Sequence, residues 1–191
     1  MGKVLIYATV SLDGFMAGPD VRPGVPMGDG GLRLHDWILR GAGSEVDAAV
    51  VRETSATTGA VVLGRRTFDV GLPVWEDTPY PVPCFVLTHR AHEPMVMKSG
   101  AFTFVTGGAR DAVRQARAAA GDGNVVLMGA TVSQECLAAG LVDGLRLQIA
   151  PVLLGAGLRL FGDRGPRGVE LRRTEVRESA HVTHLWFDVL R

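Results

Sequence analysis

Apolar positions along the chain fall into short continuous runs separated by amphipathic stretches. Lys3 to Val10 (KVLIYATV) is apolar and β-rich throughout, as a strand covered on both faces must be, and it stops at the turn sequence Ser11-Leu12-Asp13-Gly14. Similar runs recur at Ala60 to Gly64, Cys84 to Thr88, Thr103 to Thr106 and Val125 to Met128. Helical spacing fills the intervals at Ser44 to Ser55, from Arg65 onward, over Arg110 to Ala120 and from Thr131. Strand, glycine and helix succeed one another, which is the order of a parallel sheet with crossover helices.

After Leu145 to Val152 the pattern changes. Val169 to Val176 and His181 to Leu190 both alternate, and the four residues Arg177 to Ala180 join them, which predicts a hairpin. The expected architecture is therefore an α/β fold, one domain over residues 1–191, with a mixed sheet that is parallel centrally and ends in an antiparallel C-terminal hairpin. Between Gly18 and Gly31 stand five glycines and three prolines without a period, a loop long enough to expect it beside a functional cleft.

Composition narrows the function classes. Twenty basic residues balance 20 acidic ones, so no global field recruits nucleic acid or an anionic membrane surface. The only two cysteines, Cys84 and Cys136, sit in apolar contexts without metal or secretory spacing, which predicts reduced core thiols. No run approaches the roughly 18 apolar residues that span a bilayer, and the start MGKVLIYATV lacks a signal-peptide cleavage pattern, so a soluble cytoplasmic protein is expected. His181 and His184, three apart on an expected strand, face opposite sides, and no metal site is expected. Arg164, Arg167, Arg172, Arg173 and Arg177 interleave with Glu170, Glu175 and Glu178, as a charged edge that discourages aggregation does. The stripe Val182, Leu185, Phe187 and Val189 reads either as core or as dimer surface.

Chemistry concentrates at the strand ends. Gly64-Arg65-Arg66-Thr67 places two guanidinium groups, a hydroxyl and free amides at a helix start, where an anionic ligand accounts for arginines that oppose the helix dipole. Thr88-His89-Arg90 ends the next strand with a hydroxyl and cations, and Gly129-Ala130-Thr131-Val132 forms a third such junction. Three phosphate-compatible strand ends suit a dinucleotide, and the arginine pair favours a 2′-phosphate, hence NADPH over NADH. Asp13 and Asp36 are the acid candidates, although Asp13 within SLDG also suits a side chain that caps its own turn.

The segments SLDGFMAG (Ser11 to Gly18), VVLGRRTFD (Val61 to Asp69), VLTHR (Val86 to Arg90) and GATVSQECLAAGLVDGLRLQIAPVLLGAGLRLF (Gly129 to Phe161) resemble the dihydrofolate-reductase-like superfamily. The branch most similar is the reductase domain of riboflavin biosynthesis with its stand-alone relatives. The resemblance implies a three-layer α/β/α fold with a mixed sheet of about eight strands, a homodimer, and NADPH as hydride donor. It also implies a small heterocyclic or ribosylamino-pyrimidine-like substrate, as for a 5-amino-6-(5-phosphoribosylamino)uracil reductase. Arg65 would hold the adenosine 2′-phosphate with Arg66 and Thr67 beside it; Thr88, His89 and Arg90 would lie on the adenosine side. Gly64 and Gly129 to Val132 would take the phosphates, and Ala8 and Thr9 would lie near the nicotinamide. Substrate would bind among Asp36, Trp37, Pro151, Leu154 and Gly155, with Asp36 standing for the helix-borne acid of folate reductases. Dihydrofolate-reductase-type activity and a non-catalytic nucleotide-binding protein are the alternatives. Two positions depart from the family pattern: Met128 replaces the first glycine of a pair, and Leu127 replaces the substrate-reading glutamate before it.

Overall fold

A computed structural model describes residues 2–40, 44–162 and 168–190, so Arg164 and Arg167 lie outside the described residues. The main strands and helices follow the expected order. The first half contains β1 (Val4–Ser11), β2 (Phe15–Ala17), a 3-10 turn at Gly31–His35, α1 (Asp36–Leu39), α2 (Glu45–Thr57), β3 (Thr58–Gly64), α3 (Arg65–Trp75) and β4 (Cys84–Leu87). The second half adds β5 (Met95–Val96), β6 (Ala101–Val105), α4 (Gly108–Ala120), β7 (Asn124–Met128), α5 (Ala130–Ala138), β8 (Gly144–Ala150), β9 (Leu158–Arg159), β10 (Leu171–Glu178) and β11 (Thr183–Val189).

The main sheet has nine strands in the order β10-β11-β8-β1-β7-β3-β4-β6-β5. Its centre, from β8 to β6, is parallel, while β11 on β8, β10 on β11 and β5 on β6 are antiparallel. The mixed sheet and C-terminal hairpin match expectation; the second antiparallel edge does not, because the two residues of β5 are too few to show a period. β2 and β9 form a separate two-stranded sheet, likewise too short to read. The hairpin turn also shifts. Arg177 and Glu178 pair with His184 and Thr183 inside the ladder, and the turn closes later through Ser179 N–H donating to the Val182 carbonyl.

Three layers follow from strands that bury both faces. Ile6, Val62 and Leu127 point to the side where Ala112, Val113 and Ala116 of α4 meet Val132 and Cys136 of α5. Their neighbours Val61, Leu63 and Val126 point the other way, onto Phe68 of α3 with Cys84, Val86 and Phe102. On that second side, α2 covers the strands left of β7, reaching His184 with Asp47 and Arg177 with Glu53. Both cysteines are buried free thiols, and burial pushes each of them up to about 12. Among the described residues no helix is long and apolar enough to cross a membrane.

Candidate functional site

The carboxyl ends of the parallel strands form one edge of the sheet, and there the ladder opens. β1 pairs with β8 from Leu5 to Ser11, but with β7 only from Val4↔Val125 to Ile6↔Leu127. Beyond Ile6 the two central strands part, leaving a slot bordered by Ala8 and Thr9 on one side and Met128 and Gly129 on the other. A parting of neighbouring strands at their carboxyl ends is where open α/β sheets bind ligands.

Helix starts converge on the same edge. Gly64, Gly107 and Gly129 are the N-caps of α3, α4 and α5, and none offers a side chain to the first-turn N–H groups. In α2, by contrast, the Ser44 hydroxyl accepts a hydrogen bond from Asp47 N–H. The uncapped amides of α3 and α5 are donors suited to phosphate oxygens. These two turns abut: a Cβ on Gly64 would stand 3.4 Å from Val132 Cγ2, and one on Gly129 would stand 2.5 Å from Thr67 Oγ1. Gly129 also has φ +100, so a residue with a side chain there would be both strained and obstructive. Glycine thus keeps the space between the turns open, and the residues present fit a dinucleotide's phosphates.

The expected cations separate by role. Arg65 donates from Nε to Asp69 Oδ1 at 2.7 Å, lies over the Phe68 ring and meets His92 Nε2. Arg66 reaches instead to the Val21 carbonyl at 3.4 Å, fastening the glycine-rich loop beside the site. Thr88 is buried and its hydroxyl accepts from Arg90 N–H, while the His89 and Arg90 side chains are exposed. His92, which also packs on Phe104, was not legible in the sequence because it lies in an irregular segment with no period to orient it.

Beside the slot lies a buried polar row. Thr9, Gln148, His184 and Arg177 stand opposite one another on β1, β8, β11 and β10, so their side chains share the face beneath α2. Asp47 descends from α2 to place Oδ1 2.8 Å from His184 Nε2. Trp37 Nε1 donates to Thr9 Oγ1 at 3.2 Å, and its ring meets His184 edge-on with centroids 5.1 Å apart. Asp47 Oδ2, His184 Nδ1 and Gln148 Oε1 are buried without a partner among the described residues.

The expected site residues lie in different surroundings. Asp36 is not the inward carboxylate: it sits on the one-turn helix α1, partly exposed, with Arg40 Nε at 3.4 Å. The buried helix-borne carboxylate is Asp47, which stands on the inward stripe of α2 with Val50; an acid at that spacing was the available signal. Trp37 is 2% exposed, with its indole N–H bonded to Thr9 and its ring set against His184. Asp13 is occupied as a clamp, its carboxylate accepting from Leu154 and Gly155 N–H at 3.1 and 2.7 Å. The Ser11 hydroxyl first, then those amides, hold its pKa down to about 2. Pro151, Leu154 and Gly155 therefore form a loop pinned to the end of β1 rather than a free substrate wall. Leu127 is fully buried in the same apolar cluster as Ile6 and Val132.

The RibD C-terminal domain model matches residues 2–185. No curated protein matches the chain. Among solved structures, the chain is similar to a candidate riboflavin biosynthesis protein of Shewanella sp. PV-4, with a TM-score of 0.76 and 23% identity over 99% of each chain. It is similar to a diaminohydroxyphosphoribosylaminopyrimidine deaminase/5-amino-6-(5-phosphoribosylamino)uracil reductase of Thermotoga maritima, with a TM-score of 0.64 and 14% identity over 99% of this chain and 57% of that one. A dihydrofolate reductase of Enterococcus faecalis, solved with NADP(H), shares the fold at a TM-score of 0.60 and 13% identity over 98% and 96% of the two chains. The fold is thus dihydrofolate-reductase-like.

Proposed function

The chain belongs to the RibD C-terminal domain family, and from that premise we propose that it is an NADPH-dependent reductase of a small heterocyclic substrate. What carries the proposal is the parting of β1 from β7 directly beside the glycine-capped starts of α3 and α5. NADPH, when bound, supplies the hydride, and the protein contributes orientation and electrostatics.

The chain's own residues divide that work. Gly64 and the amides of Gly129 to Val132 hold phosphates; Arg65, with Arg66, Thr67 and His92 beside it, holds the 2′-phosphate through forked N–H donors. Thr88, His89 and Arg90 line the adenosine side, and the backbone of Ala8 and Thr9 borders the nicotinamide slot. Asp13 fixes the Pro151 to Gly155 loop over the substrate end, through the bonds to Leu154 and Gly155. Since Leu127 offers no charge, the substrate of a pathway pyrimidine reductase is not the one favoured here.

Asp47 supports a second reading, folate-type reduction. It is a buried carboxylate on a helix, with one oxygen held by His184 and the other without a partner among the described residues, which suits a group that relays a proton. The proposal includes a cytoplasmic homodimer acting on a small molecule, with the half-buried apolar face of Leu147, Ile149, Phe187 and Val189 as the surface between copies.

Steady-state oxidation of NADPH against ribosylaminopyrimidine and dihydropteridine substrates tests the proposal. Turnover of dihydrofolate that Asp47→Asn abolishes selects the folate-type reading. Cofactor binding without turnover on either class makes the chain a non-catalytic nucleotide-binding protein, and no binding at millimolar NADPH removes the proposal.

A further inference from the structure

At the opposite, amino-terminal edge of the sheet, a cleft of about 210 Å³ opens between the second half of α2 and the strands beneath it. Its lining combines Tyr7, Arg146 and Trp186 with Thr54, Thr57 and Asn124, over the apolar floor of Leu5 and Val126. Tyr7, Arg146 and Trp186 are cross-strand neighbours on β1, β8 and β11, which explains why three large side chains meet on one face.

The charge balance of this cleft is uneven. Arg146 is half-buried, and its guanidinium lies over the Trp186 ring with 5.6 Å to the centroid. Among the described residues it makes no ion pair, and every nearby carboxylate is committed elsewhere. Glu53, which also lines the cleft, and Glu175 both bind Arg177, at 2.9 and 2.6 Å. Asp188 binds Lys3 and Arg172 at 2.8 and 3.0 Å. Trp186 stands between two guanidinium groups, since Arg177 lies 4.9 Å from its centroid. Asp188, Glu175 and Glu53 act on Arg146 only at longer range, none of them in a direct ion pair with it, so the guanidinium fork is left for an oxyanion, and its geometry matches a carboxylate or phosphate. Burial also raises the Tyr7 pKa, so the phenol beside it remains a neutral hydrogen-bonding group rather than a competing anion. The Asn124 Oδ1 accepts a hydrogen bond from Lys3 N–H.

We infer that this cleft is a second ligand site, which takes a small organic oxyanion with a flat apolar body, the anion forked by Arg146 and the body laid against Trp186, Leu5 and Val126. The volume lies below the roughly 300–1,000 Å³ of drug-sized pockets, so the occupant is small. Asn124 opens β7 and Gly129 follows its other end, about 16 Å away at 3.3 Å per residue; Tyr7, two residues before Thr9 on β1, is the part of the cleft that comes nearest the nicotinamide slot. The site stands or falls independently of the reductase proposal.

Titration of the whole chain with phenyl phosphate and, separately, benzoate tests the inference by calorimetry and tryptophan fluorescence. One saturable site per chain is expected for at least one probe: binding of phenyl phosphate alone identifies a phosphate ligand, and of benzoate alone a carboxylate. Arg146→Gln should weaken that probe at least tenfold. Arg146→Lys, which keeps the charge and the packing stem but loses the fork, should weaken it several-fold and secures the test if the first variant does not fold. NADPH binding should be unchanged in both variants. No saturable binding at millimolar probe, equal affinity in Arg146→Lys, or competition between probe and NADPH would overturn the site.

Discussion

Asp47 Oδ1 lies 2.8 Å from His184 Nε2 with the His184 side chain wholly buried and that of Asp47 4% exposed. This contact ties α2 to β11 across 137 residues of sequence and places a carboxylate inside the molecule, where only a partner makes it tolerable. Removing one member leaves the other buried alone. Asp47→Ala should therefore destabilise the protein by about 3–5 kcal/mol, whereas Asp47→Ala combined with His184→Leu should lose less than the two single changes summed. Urea denaturation of the three variants measures this; single changes costing under about 0.5 kcal/mol would show the pair to be idle.

Gly129→Ala joins a strained backbone to an obstructed space, with φ at +100 and the new Cβ 2.5 Å from Thr67 Oγ1. A loss of about 1–3 kcal/mol in thermal or urea unfolding is expected, together with weaker NADPH. Unchanged cofactor affinity in a folded Gly129→Ala protein would remove this turn from the phosphate site.

Asp13 gives a pH signature. Its pKa falls from 3.8 to about 2 in the fold, chiefly through the Ser11 hydroxyl and then the Gly155 and Leu154 amides. A depressed folded pKa means that its stabilisation is complete above about pH 4 and is lost as the pH falls toward 2. The stability difference between the native chain and Asp13→Asn should accordingly be constant from pH 7 to about 4 and shrink below it. A difference that stays constant down to pH 2 would contradict the clamp.

Cys84 and Cys136 should resist a thiol reagent at pH 8 in the folded protein and react fully in denaturant, because burial pushes both pKa values up to about 12. Rapid labelling of the native chain would show that at least one is not in the core.

Particular residues show why the fold was more legible than the site. Val61 to Gly64 and Val125 to Met128 are continuous apolar runs broken by glycine, and local pattern alone marks them as central strands. The glycine junctions were legible for the same reason, since Gly64 and Gly129 stand where strand passes to helix. The acid was not. Asp36 and Asp47 lie 11 positions apart on two helices, and only tertiary packing, the descent of α2 onto His184, decides which of them faces inward. Trp37 shows the same limit: the resemblance implied a place beside substrate, and the bond to Thr9 and the contact with His184, neither legible locally, set it in the core. The pairing of Arg65 with His92 bridges a loop of no period and had no local signature.

Arg65 bears the sharpest test of the central claim that the carboxyl edge holds NADPH. Binding of NADPH and of NADH to the native chain and to Arg65→Ala should be measured by calorimetry under one buffer. NADPH should bind the native chain more tightly than NADH, and Arg65→Ala should weaken NADPH at least tenfold, about 1.4 kcal/mol, while leaving NADH unchanged. No NADPH binding at millimolar concentration, or equal losses for the two cofactors, would contradict it.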